Sequence, residues 1–354
     1  MSGTMTRRKV LTAGAASTGL MLAANRAPAA PGILPETSVA PFLSPWSPPG
    51  DLKRDLTPGT TPIRLASWSS TTIMNYRNDM SITDMVKRVR DQGYTSTNAS
   101  VGMFQRNPWL DVPESEIREL KEALTTYDVT FFDMHAYANN IHPDPEERKK
   151  IHRHVIEQCE AAERIGCPMV TTQTGSRSPV SAVTIHRDNW TRETWDLSVK
   201  AIKQILNDTA GMKVALGIEA LNLININNPK AHLQLIEEVA DPRCQVCYDP
   251  TNQINLGTYL RTTELVNMGF DLLGEHIIAA HAKDTYVLPN RMSAYITQIL
   301  PGKGMMDYET YLVRLSKLSW SRTLIIEHLK DEDYPAAKKF IEETAAQVGV
   351  TIYQ

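Results

Sequence analysis

Nowhere in the 354-residue chain is there an apolar run of about 20 residues, and the mean hydropathy is −0.30. A polytopic membrane protein is excluded. Cysteine is scarce, and four in a chain of this length rule out a small disulfide scaffold. Neither sign of charge dominates: 37 Lys and Arg face 40 Asp and Glu, a formal net charge of −3 with a pI near 6.3. That balance argues against a phosphate-backbone binder, so no nucleic-acid partner is expected. What is present, 42% hydrophobic and 22% charged residues, is ordinary globular composition. The length allows one large or two medium domains with a sizeable core.

Residues 1–29 hold Arg7, Arg8, Lys9 and Arg26 and no acid. Removing these four basic residues would leave a chain of formal charge −7. Thr6-Arg7-Arg8-Lys9-Val10-Leu11 precedes an uncharged stretch to Ala24, and Ala27-Pro28-Ala29 follows as an Ala-x-Ala cleavage site. The order resembles a twin-arginine export signal; a merely disordered basic N-terminus is the other reading. The resemblance implies a passenger that folds before export, the Tat translocon as a transient partner, and a periplasmic or otherwise exported product. The apolar stretch is too short for a stable membrane span. Residues 30–60 read as a Pro-rich linker or strap, since nine of the 21 prolines fall between Pro28 and Pro62. Cys244 and Cys247 flank a predicted strand and point to opposite faces, a poor zinc or redox pair. All four cysteines read as small hydrophobes.

Beyond Thr61, short β-branched runs alternate with stretches of helical period. The strand-like runs lie at 63–69, 94–100, 129–136, 168–175, 214–220, 244–250, 277–284 and 322–328. Helix candidates lie at 81–91, 113–127, 144–165, 192–208, 229–239, 308–318 and 334–348, with start signals at Ser81, Pro113 and Asp144-Pro145. Eight such units over residues 61–354 predict a (β/α)₈ TIM barrel, and no Gly-x-Gly-x-x-Gly follows the first strand to suggest a doubly wound sheet.

A barrel of this kind does its chemistry at the C-terminal ends of its strands. Strand five ends Glu219-Ala220-Leu221-Asn222, strand six Asp249-Pro250-Thr251-Asn252, strand seven His281-Ala282-Lys283-Asp284, and strand eight Ile326-Glu327-His328. Desolvating four ionisable groups at one barrel mouth is costly unless they share a cation. Three carboxylates and an imidazole make an oxygen-rich site for one divalent ion, Mn²⁺ first, then Mg²⁺, Co²⁺ or Zn²⁺. His135, ending strand three, is a candidate to orient a hydroxyl or act as auxiliary base. Trp68 and Trp109 could wall a sugar ring, and Gln173, Asn222, Asn252, Lys283 and Asp284 are candidate oxygen ligands of a substrate. Strand alternation predicts that His328 points away from the barrel axis.

Glu219-Ala-Leu-Asn222, Asp249-x-x-Asn252, His281-x-Lys283-Asp284, the Pro301-Gly302-Lys303-Gly304 loop and Ile326-Glu327 together resemble the xylose-isomerase-like sugar isomerase/epimerase superfamily. That group includes tagatose 3-epimerase-type enzymes, hydroxypyruvate isomerase and inosose dehydratase, with endonuclease IV more remote. The resemblance implies that Glu219, Asp249, His281 and Glu327 bind one metal, and that Glu219 and Glu327 are the catalytic acid/base pair. It implies proton abstraction beside the ketone of a sugar, cyclitol or 3-keto-glycoside through an enediolate, with isomerisation, epimerisation or elimination as outcome. It also implies a homo-oligomer. Free-ketohexose epimerases usually carry a histidine three after the strand-six aspartate and an arginine six after the strand-seven histidine. Here those positions are Asn252 and Val287, which speaks against a plain ketohexose 3-epimerase, while His281-x-Lys283-Asp284 leans toward the inosose or keto-glycoside branch. The competing readings are a metal-dependent phosphodiester hydrolase of the endonuclease IV type and a non-catalytic carbohydrate-binding barrel.

Overall fold

The computed structural model describes residues 54–67, 80–99 and 112–354. Its strands are β1 (Arg64–Ser67), β2 (Ser96–Ala99), β3 (Thr130–His135), β4 (Met169–Thr172), β5 (Ala215–Glu219), β6 (Cys244–Tyr248), β7 (Ile277–Ala282), β8 (Asp284–Val287), β9 (Ile296–Ile299) and β10 (Thr323–Ile326). All but β8 and β9 form one parallel sheet in the order β1, β10, β7, β6, β5, β4, β3, β2. The Thr95 N–H donates to the Leu65 carbonyl at 3.2 Å and draws the two edges together, so the ring is nearly closed. The helices are α1 (Ile82–Asp91), α2 (Glu114–Thr126), α3 (Pro145–Ile165), α4 (Arg192–Asp208), α5 (Pro229–Val239), α6 (Thr262–Leu273), α7 (Tyr308–Ser316) and α8 (Tyr334–Gln347). The expected TIM barrel is the fold.

The local chemistry accounts for most boundaries. Ser81 accepts the Asp84 N–H at 3.0 Å and Asp144 accepts the Glu146 N–H at 2.8 Å, each satisfying an otherwise orphan donor. Pro113 stands one place earlier than expected, at the cap of α2 and not in its first turn. Ala66, Phe132, Met169, Cys247, Ala279 and Ile325 pack as a separate inner layer, while the larger core lies between sheet and helices. Cys244 belongs to that larger core, so the two strand cysteines do face opposite ways, and all four cysteines are free and buried. Residues 54–61 lie along α7: Arg54 pairs with Glu309 at 2.6 Å and the Gly59 N–H donates to Ser316 Oγ at 2.8 Å. The leader and the rest of the Pro-rich segment fall outside the described residues.

Two elements were not expected. The antiparallel hairpin β8/β9 grows directly out of β7, whose predicted run had been carried on to residue 284. Helix α6 has no side-chain cap at its start and a glycine in its interior, which weakens its signal in the sequence. The structure supplies the reason for that glycine. A methyl group at Gly269 would collide with the hydroxyl of Tyr248, which donates to the Leu265 carbonyl at 3.3 Å and seats α6 on β6. Gly269→Ala should therefore lower stability by about 1–3 kcal/mol despite alanine's better helix propensity. Chemical denaturation of parent and variant checks this; an unchanged or raised midpoint would contradict it.

Candidate metal centre

Four strand ends deliver their ionisable groups to one place. Glu219 ends β5, Asp249 follows β6, His281 lies one residue before the end of β7 and Glu327 follows β10. All four are buried, and one ligating atom from each lies within 4.8 Å of the others, the one such group among the described residues. His281 Nδ1 stands 2.8 Å from Glu327 Oε1 and 3.5 Å from both Glu219 Oε1 and Asp249 Oδ2. Lys283 adds its ammonium 2.8 Å from Asp249 Oδ2 and 2.5 Å from Glu327 Oε1.

These contacts leave the cluster unsatisfied. Beyond these ionic contacts, Asp249 Oδ2, Glu327 Oε1 and His281 Nδ1 make no hydrogen bond of proper geometry, although each is fully enclosed. A buried polar atom in that condition costs about 1–3 kcal/mol, more when charged. Three carboxylates and one ammonium leave two negative charges; a proton on His281 offsets one of them, and with His281 neutral, as a metal ligand must be, one divalent ion cancels both. Donor set and charge therefore both fit such an ion.

The titration of the groups points the same way. Burial alone would push the Asp249 and Glu327 carboxyls up; the neighbouring Lys283 and His281 overrule it and hold both below the usual carboxylate range, Glu327 far below. Burial would likewise push His281 and Lys283 down. Glu327, Glu219 and Asp249 instead hold the imidazole well above its ordinary value, and Asp249, Glu327 and Glu219 do the same for the ammonium. The site draws positive charge from whatever can supply it.

A second ring of partners fixes these groups. His281 Nε2 lies 3.2 Å from Cys247 Sγ, whose thiol burial pushes up to about 12 and so keeps neutral. Cys247 thus does more than fill the inner layer, because it holds the imidazole with Nδ1 turned to the carboxylates. The Tyr137 hydroxyl donates to Glu219 Oε2 at 2.5 Å and the Asn252 amide to Oε1 at 2.5 Å. Asn252 also donates its backbone N–H to Asp249 Oδ1 at 3.0 Å and accepts from Lys283 at 3.3 Å. One asparagine ties three members of the site together.

A cavity of about 520 Å³ opens onto the cluster, with Glu219, Glu327 and Lys283 in its wall. Gln173, Asn222 and Asn252 line it, Asn222 held by a 2.6 Å bond to the Ile254 carbonyl. Asp284 does not line it. Its two carboxylate oxygens accept the N–H groups of Thr285, Gly302, Gly304 and Met306 at 2.8–3.0 Å. It latches the loop after β9, and Gly304 lacks room for a Cβ because that carboxylate lies against it. His135 is likewise not among the lining residues; its Nε2 lies 3.1 Å from Asp133 Oδ2, a buried partner on its own strand. Trp68 and Trp109 lie outside the described residues. His328 corrects the expectation of strand alternation: its φ of +56° breaks the strand and brings it into the cavity wall. Tyr137 was missed, since a tyrosine two residues past a strand end carries no distinguishing signal.

The model of the xylose isomerase-like TIM barrel family matches residues 86–346. No curated protein sequence matches the chain. Among solved structures, a xylose isomerase-like TIM barrel protein from Mycobacterium smegmatis in complex with magnesium superimposes with a TM-score of 0.58 at 13% identity, over 82% of this chain and 97% of that one. The IOLI protein with a bound zinc atom gives 0.57 at 15% identity over 81% and 98%. The 3-keto-D-glucoside 4-epimerase of E. coli gives 0.55 at 13% identity over 79% and 99%. By this match across most of its length, the chain belongs to the xylose isomerase-like TIM barrel family.

Proposed function

We propose that residues 61–354 form a divalent-metal-dependent isomerase or epimerase that moves a proton beside the ketone of a sugar, cyclitol or 3-keto-glycoside. The observation that carries this reading is the buried cluster of three carboxylates, one imidazole and one ammonium at the mouth of a cavity. A divalent ion held by Glu219, Asp249, His281 and Glu327 would supply the charge that stabilises the oxyanion left when the α proton departs. Structural relatives that bind magnesium and zinc, and one that epimerises a 3-keto-glucoside, support both halves of it. Manganese is the ion proposed for this chain.

Glu219 and Glu327 are the proposed proton carriers. They stand on strands separated by two others in the ring, so they reach a bound sugar from different sides. Tyr137 and Asn252 fix both oxygens of Glu219, and Lys283 holds Glu327, so neither carboxylate is free to turn out of place. Lys283 is also placed to hold a developing oxyanion. The paired arginines and Ala-x-Ala of the first 29 residues motivate the further proposal of export by the twin-arginine route. In an exported location, phosphorylated substrates are less attractive than keto-sugars made there by an oxidoreductase.

In D₂O, the manganese-supplied chain should place solvent deuterium on the carbon next to the ketone of a 3-keto-glucoside, read by NMR or mass spectrometry. Exchange into free ketohexoses alone would overturn the keto-glycoside assignment, and exchange into neither would overturn the isomerase reading. Glu219→Gln and Glu327→Gln should each slow exchange by about 10²- to 10⁴-fold. Lys283→Met should keep about one divalent ion per chain and lower kcat about 10²-fold; loss of the ion with Lys283 would show that the lysine builds the site and does not serve the reaction.

A further inference from the structure

The cavity that holds Glu219 and Glu327 in its wall is also lined by five aliphatic side chains. Val183, Leu221, Leu223, Ile254 and Ile296 contribute to it from the connections after β4, β5 and β6 and from the hairpin strand β9. Val183 and Leu223 remain 39% and 38% exposed. Apolar surface left in water forfeits about 25 cal/mol per Å², which is recovered when something covers it.

This wall is held in place. The Asn189 amide, buried, donates to the Leu223 carbonyl at 3.0 Å and ties the loop after β4 to the loop after β5. Asn222 ties the second loop to the next through the Ile254 carbonyl. Aliphatic side chains offer no partner to a sugar hydroxyl. A volume of about 520 Å³ falls in the range that takes drug-sized ligands, about 300–1,000 Å³.

Resting on the keto-sugar reading above, we infer that the aliphatic lining of this cavity forms a subsite for an apolar aglycone. The substrate is then a glycoside carrying an aromatic or similarly bulky apolar group, with its keto-sugar ring at the metal centre. The aliphatic residues and the charged ones line one cavity, so a single molecule can reach both.

The test compares methyl and phenyl 3-keto-β-D-glucosides as substrates for deuterium exchange by the manganese-supplied full chain. The phenyl glycoside should show a kcat/KM about tenfold or more above the methyl one, expressed chiefly in KM. The double variant Val183→Asn/Leu223→Asn should bring that ratio close to one, while Leu223→Met keeps it; both positions are partly exposed, and unfolding midpoints verify that the variants fold. Equal kcat/KM for the two glycosides, or a preference that survives the double variant, overturns the aglycone subsite and leaves the keto-sugar reading standing. Exchange into neither glycoside overturns both.

Discussion

Three carboxylates are buried within one small volume at the mouth of this barrel, and water cannot screen them there. Taking a charge out of water costs several kcal/mol even after the protein relaxes, and like charges so close repel as well. The cost is met only if positive charge is brought to the same place. Lys283 supplies one unit, and the remaining two define what the site must hold. Much of the surrounding structure can be read as a consequence of that demand.

The barrel meets it by convergence. Parallel strands place their C-terminal ends on one rim, so residues more than 100 positions apart in sequence arrive within 4.8 Å of each other. Positions one layer below then serve the rim: Cys247, inside the barrel, sets the His281 ring from beneath. Elements outside the ring do the same from above. The Asp284 carboxylate pins the loop that follows the hairpin, and Asn252 links Glu219, Asp249 and Lys283. Rigid supports of this kind hold acids and bases where a proton transfer needs them.

The fold was legible because βα alternation is a repeated, redundant signal, and the four strand ends stood out because each places a charge after an apolar run. Single features were harder to read. Gly269 weakens the helical signal of α6, although it is what lets the helix approach Tyr248. His328 escaped the alternation rule because one residue with positive φ reverses a side chain's direction, and no local sequence pattern announces that outside glycine. Asp284 was a plausible sugar ligand by position. It proved to be the partner of the Pro301-Gly302-Lys303-Gly304 loop, a long-range contact between two motifs that had been read separately. Tyr137 and Cys247 act on neighbours from other strands, and such pairings exist only once the ring is formed.

The most direct test is the divalent metal content per chain of the purified protein, produced with manganese supplied, beside an Asp249→Ala variant. The variant removes a buried carboxylate without touching either proposed proton carrier. About one ion per chain in the parent and little in the variant is the result predicted. No metal in either protein, or an undiminished content in the variant, would contradict the claim that these four residues form a cation site.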